Sequence, residues 1–230
     1  MIKGVKKIGF DADDTLWINE AYFRETEQQF YKLVAPYVDE KTAEIELFQT
    51  EMQNMSLYGY GVKAFILSVI ETAIRITGGK IPVEVVENII CFGKKQLSNP
   101  VELLDGVTET LNALAERYEL ILVTKGDLLD QERKLTASGL EHLFHHVEVV
   151  SDKTEHEYAK LLKHLNVLPE EFLMVGNSIR SDVLPPLALG SYAIHVPSHI
   201  IWLHEHIETP IINQRFHTVN SLGDIISLLS

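Results

Sequence analysis

Phe10-Asp11-Ala12-Asp13-Asp14-Thr15-Leu16-Trp17 closes the apolar run Ile8-Gly9-Phe10 and opens a cluster of carboxylates. The apolar run reads as a buried strand. Asp11 and Asp13 then emerge where that strand ends. In an open α/β sheet, chemistry sits outside the carboxyl ends of the strands. An aspartate placed there is a metal ligand, a nucleophile or a turn residue. Turns and helix caps alone would also account for such a cluster. The rest of the chain decides between these.

Further apolar runs read as strands of a buried sheet: Leu120–Val123, Val147–Val150, Phe172–Val175 and Tyr192–Val196. Segments of helical spacing lie between them. Leu128 to Leu140 is one, with Gly139 at its end. Glu155 to Leu165 is another, with Tyr158, Leu161, Leu162 and Leu165 on one face, and Asp182 to Leu189 is a third, closed by Gly190. Alternating strand and helix predicts a parallel sheet covered by helices.

The stretch from residue 18 to residue 98 breaks this rhythm. It holds no convincing strand but several helical patterns: Ala21 to Val34, Lys41 to Met55, Val62 to Ile76 and Val83 to Leu97. Gly78-Gly79 and Pro82 separate the last two, and Asn99-Pro100 closes the block. The expected fold is therefore α/β, a Rossmann-like parallel sheet core (residues 1–17 and 99–230) with an all-helical domain (18–98) inserted after the first strand. Val107 to Arg117 is the first core helix after re-entry.

Composition bounds the function. The 230 residues are 46% hydrophobic and 23% charged, ordinary for a globular protein. A formal net charge of −13 would repel a phosphate backbone, so no nucleic-acid partner is expected. No run approaches the ~20 apolar residues of a membrane span, and the basic N-terminus lacks the apolar stretch of a signal peptide. No membrane association and a cytoplasmic location follow as expectations. Cys91 is the one cysteine, so no internal disulfide forms and a reducing compartment fits. Its neighbours Ile89, Ile90 and Phe92 suggest a packed small hydrophobe. In Ser198–His206, His204 and His206 stand two apart, unlike the i,i+4 pair of a helical zinc motif, and no metal site is expected there.

The other strand ends also carry polar groups. Val123 runs into Thr124-Lys125-Gly126-Asp127. A threonine hydroxyl and the backbone N–H groups after it suit phosphate oxygens, and Gly126 would allow close approach; a helix N-cap is the equal alternative. Val150 runs into Ser151-Asp152-Lys153. A lysine at this place can neutralise a phosphoryl group and a nearby carboxylate, although most lysines are solvated. Val175 runs into Gly176-Asn177-Ser178-Ile179-Arg180-Ser181-Asp182. Asn177 and Asp182 offer the oxygen ligands that Mg²⁺ prefers, and Asp182 would also serve as an N-cap.

Taken as a set, in this order and at four strand ends, these motifs resemble the haloacid dehalogenase superfamily of aspartate-nucleophile enzymes, in the subgroup with a helical cap. Asp11-Ala12-Asp13-Asp14-Thr15 is similar to its first motif. Thr124, Lys153 and Gly176–Asp182 are similar to its second, third and fourth.

The resemblance implies a phosphatase acting on a small phosphorylated metabolite. Asp11 would be the nucleophile that becomes an aspartyl-phosphate. Asp13 would act as acid and then base. Thr124, with Lys125 and Gly126 beside it, and Lys153 would position the phosphoryl group. Mg²⁺ would be held by Asp11, the Asp13 carbonyl, and Asn177 or Asp182. Thr15 would support the loop, and Asp14 would be a supporting or capping residue. An acid at position 13 favours a phosphate ester, because a halide needs no proton to leave. Asn177 departs from the acidic residue many relatives carry there, which should weaken Mg²⁺ binding. A phosphomutase of the same superfamily, and a non-catalytic phosphate-binding or signalling module, are the alternatives. The cap is expected to choose the substrate, with Trp17, Tyr22, Phe23 and the loop Ser56–Gly61, which holds Tyr58 and Tyr60, as candidate contacts.

Overall fold

The structure is a computed structural model that describes residues 2–200, 202–205, 207 and 210–229. The chain divides into two compact units. One takes in the residues up to Glu20, Val101–Lys125 and the chain from Gln131 onward. The other takes in Ala21–Pro100 and Gly126–Asp130.

The first unit is built on β1 (Lys7–Phe10), β2 (Glu119–Lys125), β3 (Phe144–Val150), β4 (Phe172–Gly176), β5 (Tyr192–His195) and β6 (Phe216–Thr218). The strand order is β3-β2-β1-β4-β5-β6 and every pairing is parallel. The chain adds strands on one side of β1 and then on the other, so the order reverses between β1 and β4. A crevice forms outside the carboxyl ends at such a reversal. This is the α/β, Rossmann-like parallel sheet expected from the alternation of apolar runs.

Period-two alternation divides each strand between two faces. Leu120, Leu122, Leu173 and Val175 join Ile8 and Phe10 on one face. There they pack with Leu111 and Leu114 of α5 (Val107–Ala115) and Ile225 of α9 (Ile225–Leu228). Ile121, Val123, Phe172 and Met174 point the other way, onto Tyr158, Leu161 and Leu162 of α7 (Glu155–His164). Being covered on both faces, the strands read as unbroken apolar runs.

The second unit holds α1 (Glu20–Val34, whose first residue belongs to the sheet unit), α2 (Glu40–Tyr58), α3 (Val62–Ile76) and α4 (Val83–Leu97). Its core gathers Phe30, Val34, Leu47, Phe65, Val69 and Ile89. The buried stripe of α2 runs Ala43, Leu47, Thr50, Asn54, at i, i+4, i+7 and i+11. Its polar half meets α3 through hydrogen bonds: Thr72 Oγ1 donates to Thr50 Oγ1 (2.9 Å), and Asn54 Nδ2 donates to Ser68 Oγ (3.2 Å). Buried polar groups are tolerated there because each has a partner.

Several sequence expectations are corrected. Ser56–Tyr58 is not a loop but the last turn of α2, and the Tyr58 hydroxyl donates to Glu71 Oε1 at 2.6 Å. Cys91 is exposed. On α4 the inward positions are Ile89, Gly93 and Gln96, and two residues of helix turn Cys91 roughly 200° away from Ile89. Strand β6 and helix α9 are too short for periodicity to reveal. The helix expected over Asp182–Leu189 starts as a π-helical turn, Ile179–Val183, and continues as α8 (Leu184–Ala188). Pro185 and Pro186 lack N–H donors and fit only in a first turn, which fixes where α8 begins. Trp17 is fully buried in the core of the sheet unit. Phe23 packs edge-on against Phe65 inside the helical unit. No helix among the described residues is long and apolar enough to cross a membrane.

Candidate active site at the carboxyl ends of the strands

The Asp11 N–H donates to Val175 O (2.9 Å), extending the β1–β4 pairing by one step and setting Asp11 at the reversal point. The chain then turns tightly. The carbonyl of Ala12 accepts from Thr15, Leu16 and Trp17 N–H groups, and Asp14 adopts a positive φ of 59°. The Asp14 carboxylate accepts from Asn19 N (3.0 Å) and Glu20 N (2.9 Å), the donors at the start of α1. It is thus a capping residue, and burial pushes its carboxyl up to about 7.

Lys153 follows β3, and its side chain is 1% exposed. Its ammonium lies 2.5 Å from Asp11 Oδ1 and 2.6 Å from Asp182 Oδ1. The other Asp182 oxygen accepts from Ser178 N (3.0 Å). One ammonium is therefore shared by two buried carboxylates, and one negative charge is left over. Burial, with the Asp182 carboxylate adding to it against Lys153, raises the Asp11 carboxyl to about 7. The same two carboxylates outweigh burial at Lys153 and hold it firmly protonated.

Thr15 joins the first and fourth motifs. Its Oγ1 lies 2.9 Å from Asp11 Oδ2 and 3.3 Å from Asn177 Oδ1, and it accepts from Asn177 N at 3.0 Å. His195, at the end of β5, donates from Nε2 to Asn177 O (3.0 Å), and burial holds its imidazole below the ordinary value. Gly176 is required by space: a Cβ there would stand 2.3 Å from Asp182 Cγ.

Asp13 has partners the sequence did not reveal. Trp17 Nε1 donates to Oδ1 (2.7 Å), Gln131 Nε2 donates to Oδ2 (2.9 Å), and Lys134 Nζ reaches both oxygens at 2.6 and 2.8 Å. Gln131 and Lys134 lie on α6 (Leu128–Ser138). Burial alone would raise the Asp13 carboxyl, but Lys134 and the two further donors bring it below its ordinary value. The spacing of Gln131 and Lys134, three apart on one helix face, was the available signal. Nothing in sequence says which strand end that face meets.

Thr124 is buried at the end of β2. The Lys125 ammonium turns to Glu205, with which it is ion-paired, and to Ser181 Oγ (2.9 Å). Gly126 has a φ of 138°, a conformation that favours glycine, and begins the short segment grouped with the helical unit. Asp11, Asp13, Thr124, Lys125, Lys153, Asn177 and Asp182 all belong to the sheet unit. His204 packs at a tilt against Trp202 (4.8 Å between centroids), while Ile201 and His206 fall outside the described residues.

Asp11, Asp182, Asn177 and the Asp13 carbonyl offer oxygen atoms, the ligand type that Mg²⁺ prefers. The uncompensated charge at Asp11 and Asp182 fits a bound cation. Among the described residues there is no cluster of three or more His, Cys, Asp or Glu side chains arranged for a metal, so the amide and the carbonyl would have to complete such a site.

An open parallel sheet carrying this group of side chains at its strand ends defines a class of enzyme. Residues 5–190 match the haloacid dehalogenase-like hydrolase family, and the chain belongs to it. It is similar to a haloacid dehalogenase-like family hydrolase from Xanthomonas campestris, with 37% identity, a TM-score of 0.87, and coverage of 98% of this chain and 91% of that one. It is also similar to the N-acylneuraminate-9-phosphatase of Homo sapiens, 24% identical over 90% of this chain and 86% of the relative. A shorter likeness, 31% over 44% of this chain and 48% of the relative, is to the glyceraldehyde 3-phosphate phosphatase of Methanothermobacter thermautotrophicus.

Proposed function

We propose that the protein is a Mg²⁺-dependent phosphatase that hydrolyses a small phosphorylated metabolite through an aspartyl-phosphate. The observation that carries this reading is the convergence of the Lys153 ammonium on Asp11 and Asp182 at the end of β1. A buried carboxylate with a cation beside it suits nucleophilic attack on an anionic centre.

In this reading an Asp11 oxygen attacks phosphorus as the ester P–O bond breaks, and Asp13 delivers a proton to the departing oxygen. Asp13 then takes a proton from water, whose oxygen attacks the same phosphorus. The P–O bond to Asp11 breaks, releasing orthophosphate and restoring the carboxylate. The two steps need Asp13 in opposite protonation states, and Lys134 biases it toward the ionised form that the second step requires. Thr124, the Lys125 and Gly126 N–H groups and Lys153 would orient the phosphoryl oxygens. Asp11, Asp182, Asn177 and the Asp13 carbonyl would hold Mg²⁺, which when bound shields the approach of carboxylate to phosphate. The carboxylate at position 13 favours an ester over a halide substrate. Two relatives named as phosphatases of small phosphorylated molecules support the substrate class. The helical unit is proposed as the cap that selects the substrate.

The test is hydrolysis of p-nitrophenyl phosphate by wild type and Asp11→Asn, with Mg²⁺ and with a chelator. Metal-dependent turnover lost in the variant is the expected result, after which a panel of sugar phosphates, nucleoside monophosphates and small-acid phosphates ranks substrates. A folded wild type that turns over none of them would sink the reading. Phosphate trapped on Asp11 would then separate a mutase or signalling module from an inert protein.

A further inference from the structure

Among the described residues between β5 and β6, the turn Leu203–Glu205 lies at the strand ends. Glu205 is 11% exposed and Lys125 16%. One oxygen of Glu205 accepts from the Lys125 ammonium. The other accepts from the hydroxyls of Ser178 and Ser181, the latter at 2.7 Å. Lys125 Nζ also donates to Ser181 Oγ (2.9 Å), which closes the ring. Arg180 Nη1 donates to His204 O (3.0 Å) and ties the same turn to the fourth motif a second time.

The position of this ring matters more than its energy. Lys125 ends β2, and Ser178 and Ser181 follow β4. These strands do not pair with each other, because β1 lies between them. The ring thus spans the strand that carries Asp11. It fixes the residue after Thr124 to the residue before Asp182.

We propose that Glu205 is a positioning residue that braces β2 against the turn after β4 and so sets the separation of Thr124 and Asp182 about Asp11. This rests on the phosphatase reading of the site. Surface ion pairs contribute little, but this pair is largely buried and every acceptor in the ring is satisfied, the condition under which a polar network specifies geometry. The Lys125 side chain then serves the brace, which leaves its N–H to the phosphoryl group.

The experiment is a double-mutant cycle on p-nitrophenyl phosphate with Glu205→Ala, Lys125→Met and both together, each checked for folding by circular dichroism. A displacement of about 1 Å at a site can cost ~10²-fold in rate. The expected result is a fall in kcat of roughly 10- to 100-fold for each single variant, with KM little changed. The double variant should be no worse than the worse single one, since both remove one brace. Should Glu205→Ala fail to fold, Glu205→Gln, which keeps the reach and an acceptor, takes its place with a smaller loss expected. A kcat within twofold of wild type overturns the proposal. So do losses that multiply in the double variant, which would mean that Lys125 acts on the substrate independently. Amide exchange in peptides covering 122–126 and 176–183 reads the brace without activity: both should exchange faster in Glu205→Gln, and unchanged protection also overturns it. A wild type inactive on every ester tried would sink only the phosphatase reading and leave the exchange result to judge the brace.

Discussion

Lys134 Nζ stands within hydrogen-bond distance of both carboxylate oxygens of Asp13, at 2.6 and 2.8 Å, although the two residues come from α6 and from the turn after β1. Removing the ammonium leaves burial unopposed except by Gln131 and Trp17, so the Asp13 carboxyl must rise. In Lys134→Met, the limb of the pH–kcat/KM profile that reports Asp13 should therefore move to higher pH. A limb that stays in place would show that Asp13 is not the group being titrated.

Asp13→Asn should lower kcat by ~10²–10⁴-fold, the usual worth of a positioned acid–base group. The loss should be larger on an alkyl phosphate than on p-nitrophenyl phosphate, because nitrophenolate departs without needing a proton. Equal losses on the two substrates would confine Asp13 to the water-activating step.

Without divalent cation the Asp11 carboxyl sits at about 7, above the value of ~4 it would have in the unfolded chain. Between those values the folded protein keeps a proton that the unfolded chain has released, so this group lowers stability as pH rises through the window. The unfolding free energy of wild type relative to Asp11→Asn, measured in denaturant, should fall between pH 4.5 and pH 7.5 by an amount on the order of 2–4 kcal/mol. Mg²⁺ should stabilise wild type more at pH 7.5 than at pH 5. Asn177→Asp, which adds a second acid beside Asp182, should tighten Mg²⁺ by at least about tenfold. A calorimetric Kd equal to that of wild type would remove Asn177 from the cation site.

Gly176→Ala would bring a methyl group to 2.3 Å from Asp182 Oδ2, and Asp182 is held in place by Lys153 and Ser178. The expected cost is about 1–3 kcal/mol of stability, as for other overpacked sites, together with loss of turnover. Unfolding in denaturant measures the first and p-nitrophenyl phosphate the second.

The parts of this molecule that repeat a pattern could be read without coordinates. β1 and β4 are continuous apolar runs because both faces are covered, and α3 and α4 announce themselves by a stripe and by flanking Gly and Pro. The meeting of Asp11, Lys153 and Asp182 is what the family resemblance implies, since the motifs follow β1, β3 and β4 and all lie at the carboxyl ends of one parallel sheet. What escaped was contact that depends on where one helix or loop happens to pass. Lys134 and Gln131 belong to an ordinary amphipathic helix, and Glu205 sits in a turn of three residues, too short to show a period. Cys91 was misplaced for a related reason: apolar neighbours in sequence do not share a face of a helix.

The placing of β1 in the sheet also governs how the chain comes to be made. Lys7 pairs with Glu119 on one side and Phe172 on the other, so the strand that leads into Asp11 is translated well before either of its partners. At ~5–20 residues per second, the wait for β2 alone is on the order of 10 s. The core of the helical unit, drawn from α1 to α4, is complete within that interval. Each nascent chain thus carries an unpaired apolar strand while α1 to α4 are already synthesised, and chaperone demand should track the delay before β2 and β4 leave the ribosome.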